Sequence, residues 1–311
     1  MTDLQELFHD AVAGIEPADR LDAIQARTAT PARAARRWWY AAGGVALATA
    51  ATVAVVAVVS DDPAPKPGHH HGEHGMTASD PAPATQLLPV YFVGDSPVGP
   101  RLYREFDEVP AGDPLQAALD RLQRPASDPD YRVAWPDGSL TSARLGDGRI
   151  DVELGDGAPD LTADDLATQA VVYTLQAVAG DRRPVRFLHH GEVVLDDVTA
   201  APETEVLNLV SISDPAEGAA YEGPQATLVA RGRASSYEAT VPWEVRDADE
   251  NVVLSGFATA EGWMDKLYPW AARIDVSDLP AGSYTFAATT SDPSGGEGTG
   301  VFTDTRTIIV R

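Results

Sequence analysis

The sequence predicts a multi-domain chain: one transmembrane helix, then an α+β domain, then an all-β sandwich. Three observations carry that expectation. An uncharged run of 19 residues occupies positions 41–59. Strand-like and helix-like segments alternate through the next hundred or so residues. From there to the end, short strand-like runs recur between turns rich in Gly, Asp and Pro.

The total of 311 residues suits about two domains at roughly 100–200 residues each. A hydrophobic content of 44% is enough to build their cores. The formal charge of −24 argues against a nucleic-acid partner, because neutralising phosphates needs a surplus of Lys and Arg. That charge is uneven. Residues 1–60 hold five Arg and six acidic residues, whereas residues 61–311 hold 18 basic and 41 acidic ones. Nearly all the basic residues are Arg, a bias that fits a high-GC, actinobacterial type of genome. With no cysteine, the chain has no disulfide, no thiolate metal site, no catalytic cysteine and no lipid-modified cysteine anchor.

The apolar run AAGGVALATAATVAVVAVV is just long enough to cross a ~30 Å hydrocarbon core. Arg33, Arg36 and Arg37 precede it, followed by Trp38, Trp39 and Tyr40, and Asp61 and Asp62 come after it. Arginines on one side and interfacial aromatics at the boundary place the N-terminus in the cytoplasm and the bulk of the chain outside. The reading is a single-pass signal-anchor at the cell membrane, residues 38–60, in contact with the lipid bilayer through one helix. A cleaved signal peptide fits less well, because the n-region is too long. Residues 1–37 form a short cytoplasmic stub, with Leu4, Leu7, Phe8, Val12 and Ile15 near helical spacing.

Residues 61–89 are rich in Pro, Ala, Gly and His and read as an extended linker. They hold His69, His70, His71 and His74, a weak metal candidate, since clustered imidazoles bind zinc, nickel or copper. The main reading of this tract is a solvated low-complexity segment.

Residues 90–199 form the α+β domain. Strands are expected at 90–93 and 101–109. A helix follows, capped by Asp113, with Pro114 in its first turn and Leu115, Ala118, Leu119 and Leu122 on its buried face. Strands at 140–145 and 149–154 flank the tight loop Gly146, Asp147, Gly148. The second helix is expected over 162–179, with Thr162 as its N-cap and Gly180 closing it. Strands at 185–189 and 193–195 then meet at His190 and Gly191. The helices are expected on one side of a sheet. The segments VYFV, LYREFDEV, LQAALDRL, AWPDGSLTSARLGDGRIDVEL, QAVVYTLQAV and PVRFLHHGEVV resemble the GerMN domain of sporulation and spore germination proteins. That resemblance implies an extracytoplasmic binding or assembly module and brings no catalytic residue.

Residues 205–311 carry seven strand-like runs, at 207–213, 226–234, 237–246, 252–260, 271–276, 283–290 and 305–310. SISDPAEGAAYEGP, RGRASSYEATVPWEVRDADENVV and LPAGSYTF are similar to the Gmad2 domain, the immunoglobulin-like domain of bacterial spore germination. Many relatives are lipoproteins, while this chain lacks the cysteine.

Candidate chemistry is sparse. Asp247, Asp249 and Asn251 have calcium-ligand spacing, but Val252 stands where an EF-hand loop wants Gly, so a polar hairpin turn is the reading. Asp156, Asp160, Asp164 and Asp165 read as a solvated loop leading to a helix cap. His189 and His190 precede Gly191 at the expected hairpin and read as a weak lone pair. No nucleophile-elbow, zincin or phosphate-loop pattern occurs in the chain. Trp263, Tyr268 and Trp270 are the candidate ligand surface, since exposed aromatics stack on sugars or anchor partners. The competing reading places Trp243 in the core, with the other aromatics bracing a loop.

These readings point to a non-enzymatic binding or assembly protein of the bacterial envelope, with no cofactor and no catalytic residue. Its partner is an envelope protein or a cell-wall polymer. Two alternatives stand: a transmembrane regulator of the anti-sigma-factor type acting through its stub, and an envelope hydrolase.

Overall fold

The computed structural model describes residues 84–294, 297, 298 and 300–311, and all of them fall in a single compact unit. The stub, the span at 38–60 and the histidines at 69–71 and 74 lie outside the described residues. Among the described residues, no helix is long and apolar enough to cross a membrane.

The first domain opens with a long hairpin, β1 (Thr85–Ser96) and β2 (Gly99–Pro110), paired antiparallel along its length. The expected linker boundary at 89 is therefore too late, because residues 85–89 pair with 106–110. Pro89 is tolerated within this strand. The hairpin forms its own two-stranded sheet, so β1 has an outer edge with no strand along it, where a proline is tolerated. Helix α1 (Pro114–Leu122) follows, with Asp113 accepting hydrogen bonds from the backbone N–H groups of Leu115 and Gln116. Strands β3 (Leu140–Leu145) and β4 (Ile150–Leu154), helix α2 (Leu166–Ala179), and strands β5 (Val185–His189) and β6 (Glu192–Val198) complete the domain.

These last four strands form a second sheet in the order β3-β4-β5-β6, so the domain has two sheets where one was expected. Strands β4 and β5 run parallel. Parallel neighbours need a crossover connection, and α2 supplies it. Residues Thr168–Gln176 of α2 are buried without a break. The helix is therefore covered on all sides along this stretch, its polar Thr168, Gln169, Thr174 and Gln176 included. It starts at Leu166 with Asp165 as its cap, not at Thr162. Asp165 accepts from the N–H of Ala167, and the residues between 162 and 165 form a turn. Gly180 ends the helix in the left-handed conformation, as expected.

A one-turn helix, α3 (Glu203–Val206), leads into the second domain. One sheet has the order β11-β10-β13-β14-β8, and the other β12-β9-β7. Their strands are β7 (Val210–Asp214), β8 (Ala219–Tyr221), β9 (Thr227–Ala234), β10 (Thr240–Arg246), β11 (Val252–Thr259), β12 (Tyr268–Asp275), β13 (Gly282–Thr289) and β14 (Thr303–Val310). All seven expected strands are present. The additional β8 has three residues, too few to show a period, and it pairs parallel with β14. Ile212, Leu228, Val241, Phe286 and Ile308 are among the side chains that fill the space between the sheets. Asp247 accepts hydrogen bonds from the N–H groups of Asp249 and Asn251, which makes this segment the polar hairpin turn between β10 and β11.

Candidate functional site

The strongest feature of the molecule is a charged joint between the two domains. Along β14 the inward face carries Asp304, Arg306, Ile308 and Val310 in strict alternation. Its apolar half packs in the sandwich. Its charged half meets the loop at 127–131 of the first domain. Arg306 Nη1 lies 2.6 Å from Asp128 Oδ2 and 3.0 Å from Asp304 Oδ1, with all three side chains nearly fully buried. The same nitrogen donates to the Tyr131 hydroxyl at 2.8 Å, and Nη2 donates to the Ile212 carbonyl at 3.0 Å. Tyr131 donates to Asp304 Oδ1, and Asp304 Oδ2 accepts from the N–H of Ile212 at 2.6 Å. Buried charges persist only when paired and hydrogen-bonded in this way.

The loop that presents Asp128 is itself fixed. Glu105 of β2 accepts from the N–H groups of Ser127 and Asp128 at 3.0 and 2.6 Å, and Arg121 of α1 pairs with Asp107 at 3.0 Å. Burial pushes the Asp128 carboxyl up to about 7. Asp304's charge adds to that, while Arg306 and the N–H of Asp130 pull the other way. Burial likewise raises Glu105 and Tyr131, and the neighbouring acids strengthen the effect on the tyrosine.

A second set of contacts completes the joint. The N–H of Asn208 donates to the Leu102 carbonyl at 2.8 Å, and Arg104 donates to Ser213 Oγ at 2.8 Å. Glu203 accepts from the N–H of Leu267 at 3.0 Å. The Leu267 side chain, although carried by a loop of the sandwich, is buried in the core of the first domain. The void left at this seam has a volume of about 10 Å³, room for roughly one water and too little for a ligand.

The expected aromatic surface is split. Trp270 of β12 is only 3% exposed and belongs to the sandwich core, which corrects its assignment to the surface. Position 270 falls on the inward face of its strand, where alternation buries it. Trp263 is 38% exposed and stacks edge-on against Tyr237 with ring centroids 5.2 Å apart. Tyr268 is half-buried, donates to Asp265 at 2.8 Å and lies under Lys266. Trp243 packs partly buried against the sandwich core. Trp263 and Tyr237 remain as an exposed aromatic pair, with the exposed Met264 next to Trp263 in the chain.

The two adjacent histidines are not alone. Asp156, in the loop after β4, has Oδ1 3.2 Å from His189 Nε2 and 3.1 Å from His190 Nε2. Thirty-three positions separate Asp156 from His189, so only the parallel pairing of β4 and β5 brings them to the same end of the sheet. From sequence the acidic run reads as a solvated loop, and nothing in its spacing signals this contact.

Comparison with known proteins gives a consistent picture. Residues 89–195 match the family model described as sporulation and spore germination, and residues 209–297 match that of the immunoglobulin-like domain of bacterial spore germination. Neither match indicates a family of enzymes. No curated protein matches the chain. Among solved structures, the tandem GerMN domains of the sporulation protein GerM from Bacillus subtilis align at 16% identity and a TM-score of 0.33, covering 63% of this chain and 63% of that one. A crystal structure of an engineered protein aligns at 24% identity and a TM-score of 0.26, covering 46% of this chain and 28% of that one. The chain thus spans less than two thirds of either structure. On the two family matches, the chain carries a sporulation and spore germination domain followed by an immunoglobulin-like domain of bacterial spore germination.

Proposed function

We propose that this protein is a membrane-anchored binding and assembly module of the bacterial envelope, in which the two germination-type domains act as one rigid body. The observation that carries the reading is the buried joint built by Arg306, Asp128, Asp304 and Tyr131. Inter-domain interfaces are ordinarily polar and mobile. This one sequesters charge from water, and separating the domains would strand that charge. The joint therefore favours a fixed spacing between the surfaces the domains present, which is what a scaffold or positioning module needs.

In this reading the span at 38–60 holds the chain in the membrane, residues 61–84 set the distance from the lipid, and recognition takes place on the outer domains. Trp263 and Tyr237 offer a small aromatic contact for an envelope protein or a cell-wall polymer. The strongly negative outer surface disfavours anionic polymers as partners.

A photo-crosslinking residue placed at position 263 of the full chain in growing cells tests this. The expected result is capture of one discrete envelope component, lost when Arg306→Ala uncouples the domains. A residue at position 194, on the far sheet of the first domain, serves as the control. Equal capture from both positions, or no capture from either, would overturn the reading. A membrane-impermeant protease that leaves the outer domains intact on whole cells would overturn the placement outside.

A further inference from the structure

We propose that Asp156, His189 and His190 form a binding site for a divalent transition-metal ion of the zinc and cobalt type. Their three donor atoms lie within 4.8 Å of one another. Tetrahedral zinc, bound at about 2.0–2.1 Å, sets its ligand atoms about 3.3 Å apart. The two carboxylate-to-imidazole separations are 3.2 and 3.1 Å, close to that edge length. Two imidazoles with one carboxylate select borderline metals over calcium or magnesium, which prefer all-oxygen shells.

The backbone builds this convergence. Adjacent strand residues point to opposite faces, so His189 and His190 in an extended chain would diverge. His190 instead takes a φ of 53°, left-handed and uncommon for a residue with a side chain. Its ring folds back against that of His189, with centroids 4.1 Å apart. Gly191 follows with a φ of 77°, and its N–H donates to Glu153 of β4 at 3.0 Å, which ties the turn to the neighbouring strand. The other arm is fixed too. A methyl group on Gly155 would lie 2.1 Å from the Gly138 carbonyl oxygen, so the chain before Asp156 is pressed against the loop at 138.

The site is open. The side chains of Asp156 and His190 are 84% and 74% exposed. Three protein ligands leave the remaining position of a tetrahedral ion to water or to a donor from a partner molecule.

The test uses the full chain with His69, His70, His71 and His74 replaced by Ala, so that the Pro/His-rich segment adds no imidazole. Of the seven histidines this leaves His9 beside the proposed pair. Zinc chloride and cobalt chloride are titrated by calorimetry, and the cobalt complex by visible absorption. One equivalent should bind. Asp156→Asn should weaken binding by about tenfold or more, on the scale by which even outer-shell changes act. His190→Gly should abolish it while the metal-free thermal transition is kept, because glycine suits the φ at that position. Zinc should raise the melting temperature of the parent and leave that of His190→Gly unchanged. No binding at millimolar metal, or equal binding by the parent and both variants, would overturn the proposal.

Discussion

The guanidinium of Arg306, on the last strand of the sandwich, lies 2.6 Å from the carboxylate of Asp128, in a loop of the first domain, and both side chains are buried. The two residues are 178 positions apart, and their contact joins the two domains. Removing one partner of a buried pair leaves the other charged and unpaired. Arg306→Ala should therefore cost about 3–5 kcal/mol, read as a lower urea midpoint. A loss within error of zero would mean that water reaches the joint.

Asp128 also makes a pH prediction. Its folded carboxyl is pushed up to about 7, chiefly by burial, against an unfolded value of about 3.9. Between these values the folded state holds a proton that the unfolded chain has released. The contribution of the protonated group is thus complete below about pH 4 and lost as pH rises to about 7. Urea unfolding of the parent and of Asp128→Asn across pH 4–8 isolates the effect, because the other carboxylates cancel in the difference. The parent should lose stability relative to the variant up to about pH 7 and then run parallel to it. A flat difference would refute the shift.

Gly232 lies in β9 between β7 and β12. A Cβ there would sit 1.7 Å from the Ser211 carbonyl oxygen and 2.8 Å from Trp270 Nε1. Neither backbone nor core indole can retreat, so Gly232→Ala should cost about 3 kcal/mol or more. Thermal unfolding beside an exposed control, Gly157→Ala, decides it.

The two tryptophans at 263 and 270 should behave oppositely. Trp270→Ala empties a core position and should cost about 3–5 kcal/mol. Trp263→Ala loses one edge-on aromatic contact and should cost about 1 kcal/mol. Equal destabilisation by the two would contradict their placement.

The start of α2 offers a direct comparison. Asp165→Ala removes the side-chain acceptor at the cap and should cost about 1 kcal/mol. Thr162→Ala should change stability by no more than about 0.5 kcal/mol. The reverse order would restore the longer helix expected from sequence.

Much of the architecture is legible in local pattern. Asp113-Pro114 before LQAALDRL marks the start of α1, and Gly146-Asp147-Gly148 marks the turn between β3 and β4. The miss at Thr162 is also local in origin. Four capping residues, Thr162, Asp164 and Asp165 among them, crowd one stretch, and propensity does not choose between neighbours of equal ability. The candidate site was less legible. Trp263, Tyr268 and Trp270 look alike in sequence, and β12 alternation separates only those that lie within the strand.

The sequence by itself determined the order of the strands and helices other than β8 and α3, the division into an α+β and an all-β part, and the family resemblance of each, because periodicity and turn chemistry act within a few residues of themselves. Only the tertiary structure decided that Arg306 and Asp304 face inward to meet Asp128, that Trp270 is core, and that Asp156 closes on His189 and His190. Those outcomes depend on strand pairing and on loops that meet across tens to more than a hundred positions. A buried charge or a converging donor set exists only once the chain has brought its partners together.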